Sequence, residues 1–191
     1  MITSLTIVAL FLLKVVIIIF SADFISGLVH WWEDAYGNPN WKFIGKSIVH
    51  PNIEHHRYPR KFLQNTFFDR VKISFLTGLV ICSVSAFFNL FTLELGITLF
   101  YAALANQVHA MAHRTDKENG KMIVWMQKIG LMQSRKMHGY HHQSPYNVNY
   151  CILTNYLNPI LNLCKFWNVL ELALSQIGIK HNRNHPDRNG Y

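Results

Sequence analysis

The chain is organised around the stretch Arg135-Lys136-Met137-His138-Gly139-Tyr140-His141-His142. This stretch is an H-x-x-H-H cluster, which places three imidazoles within five residues. Imidazole is a common ligand for iron, copper and zinc near neutral pH. The stretch therefore predicts a metal site, and the fold has to bring further ligands to it.

Histidines also cluster at three other places in the chain. His55 and His56 lie together in a polar loop, and His109 and His113 are spaced to share one face of a helix. His30 ends the first apolar segment. The clustered positions number eight, which is twice what one tetrahedral zinc ion uses: His30, His55, His56, His109, His113, His138, His141 and His142.

The pattern of these histidines argues against the common zinc sites. A structural zinc site needs four ligands and usually includes cysteine, whereas the three cysteines here form no paired motif. A zinc protease of the H-E-x-x-H type needs a glutamate after its first histidine, and Ala110 stands there. Two metal ions that share a histidine-rich set of ligands explain the eight histidines better than either kind of zinc site. Iron with open coordination positions can activate oxygen and attack an unactivated C–H bond.

Long apolar segments predict an integral membrane protein. Residues 2–29 exceed the ~20 helical residues that a bilayer core requires. Residues 71–91 and 97–112 form two further apolar segments around a short break at 92–96, which predicts a helical hairpin. Lys14 interrupts the first segment and needs an inward-facing partner, whereas Asp23 lies near its end.

Shorter segments predict helices at the membrane surface. Residues 122–132 are too short to span and are typical of an amphipathic helix. Residues 166–177 carry apolar side chains at helical spacing, which predicts a second interfacial helix. The expected fold is all-α and integral to the membrane, with about three transmembrane helices, interfacial helices and a cytoplasmic histidine-rich cap. Residues 1–180 form one domain and residues 181–191 a polar tail, with its histidines exposed and not ligands.

The distribution of basic residues predicts the topology. The formal charge is +8, but the basic residues flank the apolar segments, which favours an anionic membrane surface over nucleic acid. Residues 1–4 and 92–96 contain no Lys or Arg, whereas both long polar loops are rich in them. The positive-inside rule then places the loops in the cytoplasm and the N-terminus outside. All eight clustered histidines fall on the cytoplasmic side.

Four further residues near these clusters need an interpretation. Trp31 and its neighbour Trp32 fit an interfacial aromatic belt. Asp34 lies four residues after His30, where it either orients a metal-bound imidazole or sits in water as a helix-end carboxylate. His50 is a weaker ligand candidate, because the residue before a proline is conformationally restricted.

At these residues the chain resembles the Kua/CarF family, the plasmanylethanolamine desaturases, over roughly residues 25–175. The resemblance rests on matched blocks in order: Gly27-Leu28-Val29-His30-Trp31 with Asp34, Glu54-His55-His56, Asn106-Gln107-Val108-His109 with His113, Arg135-Lys136 with His138, His141 and His142, Tyr150-Cys151-Ile152 with Leu157-Asn158, and Phe166-Trp167 with Leu170-Glu171.

The resemblance implies a membrane enzyme with two iron ions, using O2 and an external electron donor such as a b-type cytochrome or ferredoxin. It would convert the 1-O-alkyl ether of plasmanylethanolamine to the vinyl ether of a plasmalogen. The eight histidines would be the iron ligands, with Asp34 and Asn106 supporting them without touching the metal. Its partners would be a membrane phospholipid and an electron-transfer protein on the cytoplasmic face.

Two alternatives to this reaction stay open. The family is also similar to a plant plastid desaturase that acts on acyl chains of phosphatidylglycerol, so an acyl-lipid desaturase or hydroxylase is the first alternative. A non-catalytic metal-binding membrane protein is the second. The short chain favours a bacterial inner membrane, and the endoplasmic reticulum membrane is expected if the source is eukaryotic.

Overall fold

The structure is a computed structural model that describes residues 4–183, and within that range it contains helices and no strand. The α-helices are α1 Ser4–Ala35, α2 His50–Arg57, α3 Phe67–Phe87, α4 Leu93–Ala103, α5 Ala105–His113, α6 Asp116–Lys128, α7 Arg135–His141, α8 Leu157–Leu163 and α9 Phe166–Gln176. A π-helical turn (Gly45–Val49) runs directly into α2, and a 3₁₀ turn (Lys61–Gln64) precedes α3. The prediction of an all-α fold is confirmed for these residues.

Hydroxyl side chains set the starts of four of these helices. Thr66 and Thr92 accept hydrogen bonds from backbone amides in the first turns of α3 and α4. Thr115 forms a reciprocal capping box with Glu118 at the start of α6, and Ser134 accepts from the amide of Met137 at the start of α7. Each hydroxyl satisfies an amide that has no partner within the helix, which fixes where the helix begins.

Two helices are long and apolar enough to cross a membrane. Helix α1 has 32 residues with a mean hydropathy of 2.8 in its most apolar window, and α3 has 21 residues with 1.5. Their apolar side chains face outward: Leu5 is 80% exposed and Phe11 is 65% exposed. An apolar surface of this extent is unfavourable in water and suits lipid, which is consistent with the predicted membrane location.

The third predicted span is divided in two. The apolar segment 97–112 is broken at Leu104 into α4 and α5. Helix α4 has 11 residues and is about 17 Å long, which is too short to cross a ~30 Å hydrocarbon core alone. The prediction of three transmembrane helices is therefore not confirmed. Helix α4 packs instead against α1 and α3, and α5 packs against α3 and α7.

Lys14 has a partner, but the pair lies on the exposed surface and does not face inward as the sequence predicts. Its Nζ lies 2.8 Å from Glu94 Oε1, which belongs to the first turn of α4. The pair ties α1 to the α3–α4 hairpin. A paired lysine costs less at membrane depth than an isolated one.

Asp23 is fully buried and holds the segment 152–154 against α1. Its carboxylate accepts hydrogen bonds from the amide of Leu153 at 2.8 Å and from the amide and hydroxyl of Thr154 at 3.2 and 2.5 Å. One turn later, a Cβ at Gly27 would lie 2.6 Å from Cys151 Sγ, so only glycine allows this approach. These contacts place Tyr150 beside His30.

Trp31 is buried and is not part of an exposed aromatic belt. It packs on Tyr36 and Trp167, and its indole nitrogen donates to Glu171 at 2.8 Å. Arg183 also binds Glu171, through nitrogens at 2.5 and 2.7 Å, and donates to the Tyr150 hydroxyl at 2.7 Å. The beginning of the predicted polar tail is thus attached to the helices, whereas residues 184–191 lie outside the described range.

We expect Glu171→Ala to lower the free energy of unfolding by about 3 kcal/mol, because it leaves the largely buried Arg183 guanidinium without its carboxylate. For a chain of this size the melting temperature should fall by about 6–12 °C, measured by thermal unfolding in detergent. Lys72→Ala is the matched control, since Lys72 pairs with Asp69 on the surface and its loss should cost less than about 1 kcal/mol. Equal melting temperatures for the two variants would show that the Arg183 pair adds little.

The two shorter amphipathic helices form where the sequence predicts them. Helix α6 covers most of the predicted 122–132 segment and leaves Met122 69% and Trp125 57% exposed. Helix α9 buries Trp167 and exposes Val169 and Leu172. Exposed apolar side chains on both helices are consistent with the predicted interfacial position.

Candidate metal centre

All eight clustered histidines come together in space, although four separate helices and the residue after the last of them supply the ligands. Helix α1 contributes His30, α2 contributes His55 and His56, α5 contributes His109 and His113, and α7 with the residue after it contributes the rest. Their donor atoms form two adjacent groups, and within each group all donor atoms lie within 4.8 Å of one another. The first group is His55, His109, His113, His138 and His142, and the second is His30, Asp34, His56 and His141.

In the first group the Nε2 atoms converge on a common point. His113 Nε2 lies 3.1 Å from the Nε2 of His109, 3.0 Å from that of His55 and 2.8 Å from that of His138. His142 Nε2 lies 2.9 Å from His138 Nε2. Nitrogens about 2.1 Å from an ion and at right angles to one another would lie about 3.0 Å apart. The observed separations match this spacing.

In the second group three imidazoles surround the Asp34 carboxylate. Oδ1 of Asp34 lies 3.0 Å from His56 Nε2, and Oδ2 lies 3.2 Å from His141 Nε2 and 3.7 Å from His30 Nε2. Asp34 is buried, so it is not a helix-end carboxylate in water. Its oxygens lie among the donor atoms, where a ligand would be, and not behind a histidine ring as an orienting group would be.

The two groups share a boundary. The ring of His56 is 4.9 Å from that of His142, and the ring of His30 is 5.6 Å from that of His109. Metal ions bound by the two groups would therefore lie side by side, as in a dinuclear centre.

Backbone carbonyls fix two of these rings. The Nδ1 of His30 lies 3.2 Å from the carbonyl oxygen of Tyr150, and the Nδ1 of His141 lies 2.8 Å from that of Val148. In each case Nδ1–H donates to the carbonyl, which leaves the Nε2 lone pair for a metal. The Asp23 and Gly27 contacts described above position this segment.

Burial keeps the imidazoles of His109, His113, His138 and His142 neutral by lowering their pKa values. Burial, and then the neighbouring imidazoles of His56 and His141, lowers the pKa of His113 to about 4. Burial likewise lowers the pKa of His142 to about 2 and holds the pKa values of His109 and His138 well below their usual range. Neutral imidazoles keep the lone pairs that metal binding requires.

The residues present fit two metal ions with open coordination positions. Several ring nitrogens are buried without a hydrogen-bond partner, among them His30 Nε2. A buried polar atom without a partner is costly, and a metal would satisfy it. Five donors in one group exceed the four of a structural zinc site. The first group offers five donor atoms and the second offers four. A six-coordinate ion in either group would keep at least one open position, which an iron centre needs to react with oxygen.

The other residues that the sequence analysis considered do not belong to either group of donor atoms. Asn106 donates from its side chain to the carbonyl oxygen of Arg70 at 3.2 Å, a contact between α5 and α3, so the structure gives no support to a role beside the ligands. His50 and His181 are exposed and belong to neither group. His185 lies outside the described residues.

Sequence analysis missed Asn52. Its side chain donates to Asp34 Oδ1 at 2.6 Å from the first turns of α2. Asn52 lies four residues before His56, so the two side chains share one face of α2. This spacing is the only feature of the sequence that could have indicated a role for Asn52 at the metal centre.

We expect Asn52→Ala to reduce metal affinity or activity about 10- to 100-fold, because it removes a hydrogen bond that orients the Asp34 carboxylate. Metal content after dialysis against a chelator measures the effect. Asn65→Ala, a change of the same kind in the turn before α3, should leave metal retention unchanged. If Asn52→Ala retained as much metal as the unmodified protein, Asn52 would have no role in the metal centre.

The sequence that forms both groups of donor atoms matches the model of a known protein family. The lipid desaturase domain matches residues 19–184, which includes every residue of both groups. The chain belongs to the lipid desaturase family. The resemblance found from the sequence motifs is therefore confirmed.

Curated members of the lipid desaturase family carry two kinds of name. Fatty acid desaturase 4-like 1 of Arabidopsis thaliana, named as chloroplastic, is 33% identical over 87% of this chain and 58% of its own length. A probable fatty acid desaturase of Acanthamoeba polyphaga mimivirus is 32% identical over 83% of this chain and 80% of its own. The plasmanylethanolamine desaturase of Myxococcus xanthus is 27% identical over 81% and 57%.

The chain thus spans little more than half the length of the plant and bacterial members of the lipid desaturase family, but most of the viral one. No solved structure matches it.

Proposed function

We propose that the protein is an O2-dependent lipid desaturase with two irons. The observation that carries the proposal is the convergence of eight histidines and Asp34 into two adjacent groups of donor atoms. His55, His109, His113, His138 and His142 would hold one iron. His30, Asp34, His56 and His141 would hold the other.

The reaction requires an oxidant and a source of electrons. Desaturation removes two hydrogens from adjacent carbons, and with O2, two electrons and two protons it yields a C=C bond and two waters. When bound, the irons supply the oxygen activation that side chains alone cannot provide. The protein's part is to hold the ligands, exclude bulk water and position the lipid. A small electron-transfer protein, such as a b-type cytochrome or ferredoxin, would deliver the electrons from the cytoplasmic side.

The position of the centre along α1 supports a reaction close to the lipid head group. His30 lies 26 residues after the first described residue of α1, or about 39 Å along the helix axis. A hydrocarbon core is ~30 Å thick, so the centre lies just beyond the core. The carbons of a lipid chain nearest the head group would reach it with the least displacement.

The proposed substrate is plasmanylethanolamine, whose 1-O-alkyl chain would become the vinyl ether of a plasmalogen. The C1–C2 bond of that chain adjoins the glycerol ether oxygen, in keeping with a centre near the head groups. The family likeness, which includes plasmanylethanolamine desaturases, also supports this substrate.

An acyl-lipid desaturase is the second candidate. Three plant relatives and one viral relative with 30–33% identity carry the name fatty acid desaturase. A phospholipid acyl chain oxidised close to its ester would place its reacting carbons at the same depth.

Expression in cells that make alkyl ether lipids but no plasmalogens separates the two candidates. We expect mass spectrometry to detect acid-labile vinyl ethers, two hydrogens lighter than their precursors, and only while O2 is present. Loss of two hydrogens from acyl chains alone would replace the proposed substrate with the second candidate. No lipid change by the folded, iron-loaded protein would refute the proposal.

We further propose that the chain spans the membrane more than once, with the histidine cluster on the cytoplasmic side. The basic loops that contain the histidines support this orientation. A bacterial inner membrane is the favoured location. Labelling of single cysteines introduced near residue 93 and residue 143 with an impermeant reagent would give opposite accessibility from outside the cell if the orientation is right.

A further inference from the structure

A polar pocket of about 720 Å³ begins at the candidate metal centre. Asp34 and His56 line its inner end, and Arg57, Asn147 and Asn168 line its outer part. A ligand in this pocket would reach the donor atoms of the second group directly.

The charges of the pocket favour an anion. Its two carboxylates are already engaged: Asp34 contacts three imidazoles, and Glu171 accepts from Arg183 and Trp31. Arg183 pairs with Glu171, so Arg57 is the arginine of the pocket that remains for an anionic group. Its guanidinium lies 5.2 Å from the centroid of the Tyr58 ring, and it is exposed.

The outer wall of the pocket continues into an apolar surface. Asn168 and Leu172 are four residues apart on α9 and so lie on the same side of the helix. Leu172 is 62% exposed, and its neighbour Val169 is 59% exposed. A polar pocket bordered by an exposed apolar helix face is the arrangement that a lipid head group at the membrane interface requires.

We infer that this pocket binds the phosphodiester of the lipid substrate, with Arg57 as its cationic contact and the amides of Asn147 and Asn168 as further donors. The inference rests on the proposed function and makes it more specific. Guanidinium pairs with phosphate oxygens through charge-assisted hydrogen bonds. With the phosphodiester bound by Arg57, the first carbons of the attached chain would extend toward Asp34 and His56, which line the same pocket.

Binding of a 1-O-alkyl-2-acyl phosphatidylethanolamine to the iron-loaded full chain in detergent tests the inference. Mass spectrometry of the intact complex counts the bound lipid without any turnover. We expect Arg57→Gln to weaken binding about tenfold or more and Arg57→Lys to retain most of it. Lys61→Gln is the matched control, because it removes the same charge four residues away, where Lys61 pairs with Glu54 on the surface. This control should bind the lipid normally.

Three results would overturn the inference. Normal binding by Arg57→Gln would remove Arg57 from the site, and equal weakening in Lys61→Gln would indicate general surface charge. Competition by inorganic phosphate at the same concentration as the lipid would assign the pocket to free phosphate. A chain that binds the lipid in this Arg57-dependent way but makes no desaturated product would refute the proposed function alone. A desaturase with normal binding in Arg57→Gln would refute the pocket alone.

Discussion

His138→Ala should lose the iron of the five-histidine group and reduce desaturation by more than about 100-fold. The Nε2 of His138 lies 2.8 Å from that of His113 and 2.9 Å from that of His142, so it occupies the middle of the group. Its ring is almost fully buried, and alanine would leave both a missing ligand and a cavity. Loss of residues that merely orient a ligand typically costs 10- to 100-fold, and loss of a ligand should exceed that.

Iron per chain and product per unit of time are the two measurements. His50→Ala is the matched control, because His50 also begins an element of the centre, α2, but is exposed and belongs to neither group. The control should keep its iron and its activity. Full activity in His138→Ala would remove this residue from the ligand set.

Asp34→Asn should cost as much as the loss of a histidine ligand. The substitution keeps the shape of the side chain but replaces a carboxylate that lies 3.0–3.7 Å from three Nε2 atoms. An amide binds a metal more weakly than a carboxylate does, and its NH2 group would face neutral imidazole nitrogens or a cation. We expect loss of the second iron and a fall in activity of more than about 100-fold, measured like His138→Ala.

The alternative for Asp34 gives a different result. A carboxylate that only orients His30 or His141 would leave two irons in Asp34→Asn, with activity reduced about 10- to 100-fold. Asn52→Ala provides the comparison within the same protein, because Asn52 donates a hydrogen bond to Asp34 and belongs to neither group of donor atoms. Equal effects of the two changes would contradict a ligand role for Asp34.

Hydropathy and charge predicted that the histidines lie on one side of a membrane, whereas their convergence into two groups of donor atoms also depends on the packing of α5 against α7. Apolar helices that end on one side of a membrane bring His30, His109 and His113 to the same side as the polar loops. Helical spacing also predicted that His109 and His113 share a face, and their Nε2 atoms lie 3.1 Å apart.

The role of Asp34 was not predictable, because it depends on contacts between distant parts of the chain. Its carboxylate meets His141 from α7 and Asn52 from α2, and neither contact has a signal in local spacing. The burial of Trp31 was not predictable for the same reason. Its partners Trp167 and Glu171 come from α9, whereas the sequence shows only a tryptophan at the end of an apolar run.

The break between α4 and α5 was missed for a different reason. Residues 97–112 contain neither glycine nor proline, so hydropathy gives one continuous segment. The helix breaks at Leu104, and α5 then packs against α7, which presents His138 to His109 and His113. Tertiary packing therefore overrides local helix propensity at this position.

The most direct test of the account is the metal content of the full chain purified gently from membranes under conditions that retain iron. The account predicts about two irons per chain, one lost in His138→Ala and the other in His141→Ala, because these residues belong to different groups. About one zinc per chain, unchanged by His141→Ala, would contradict it and indicate a single structural site.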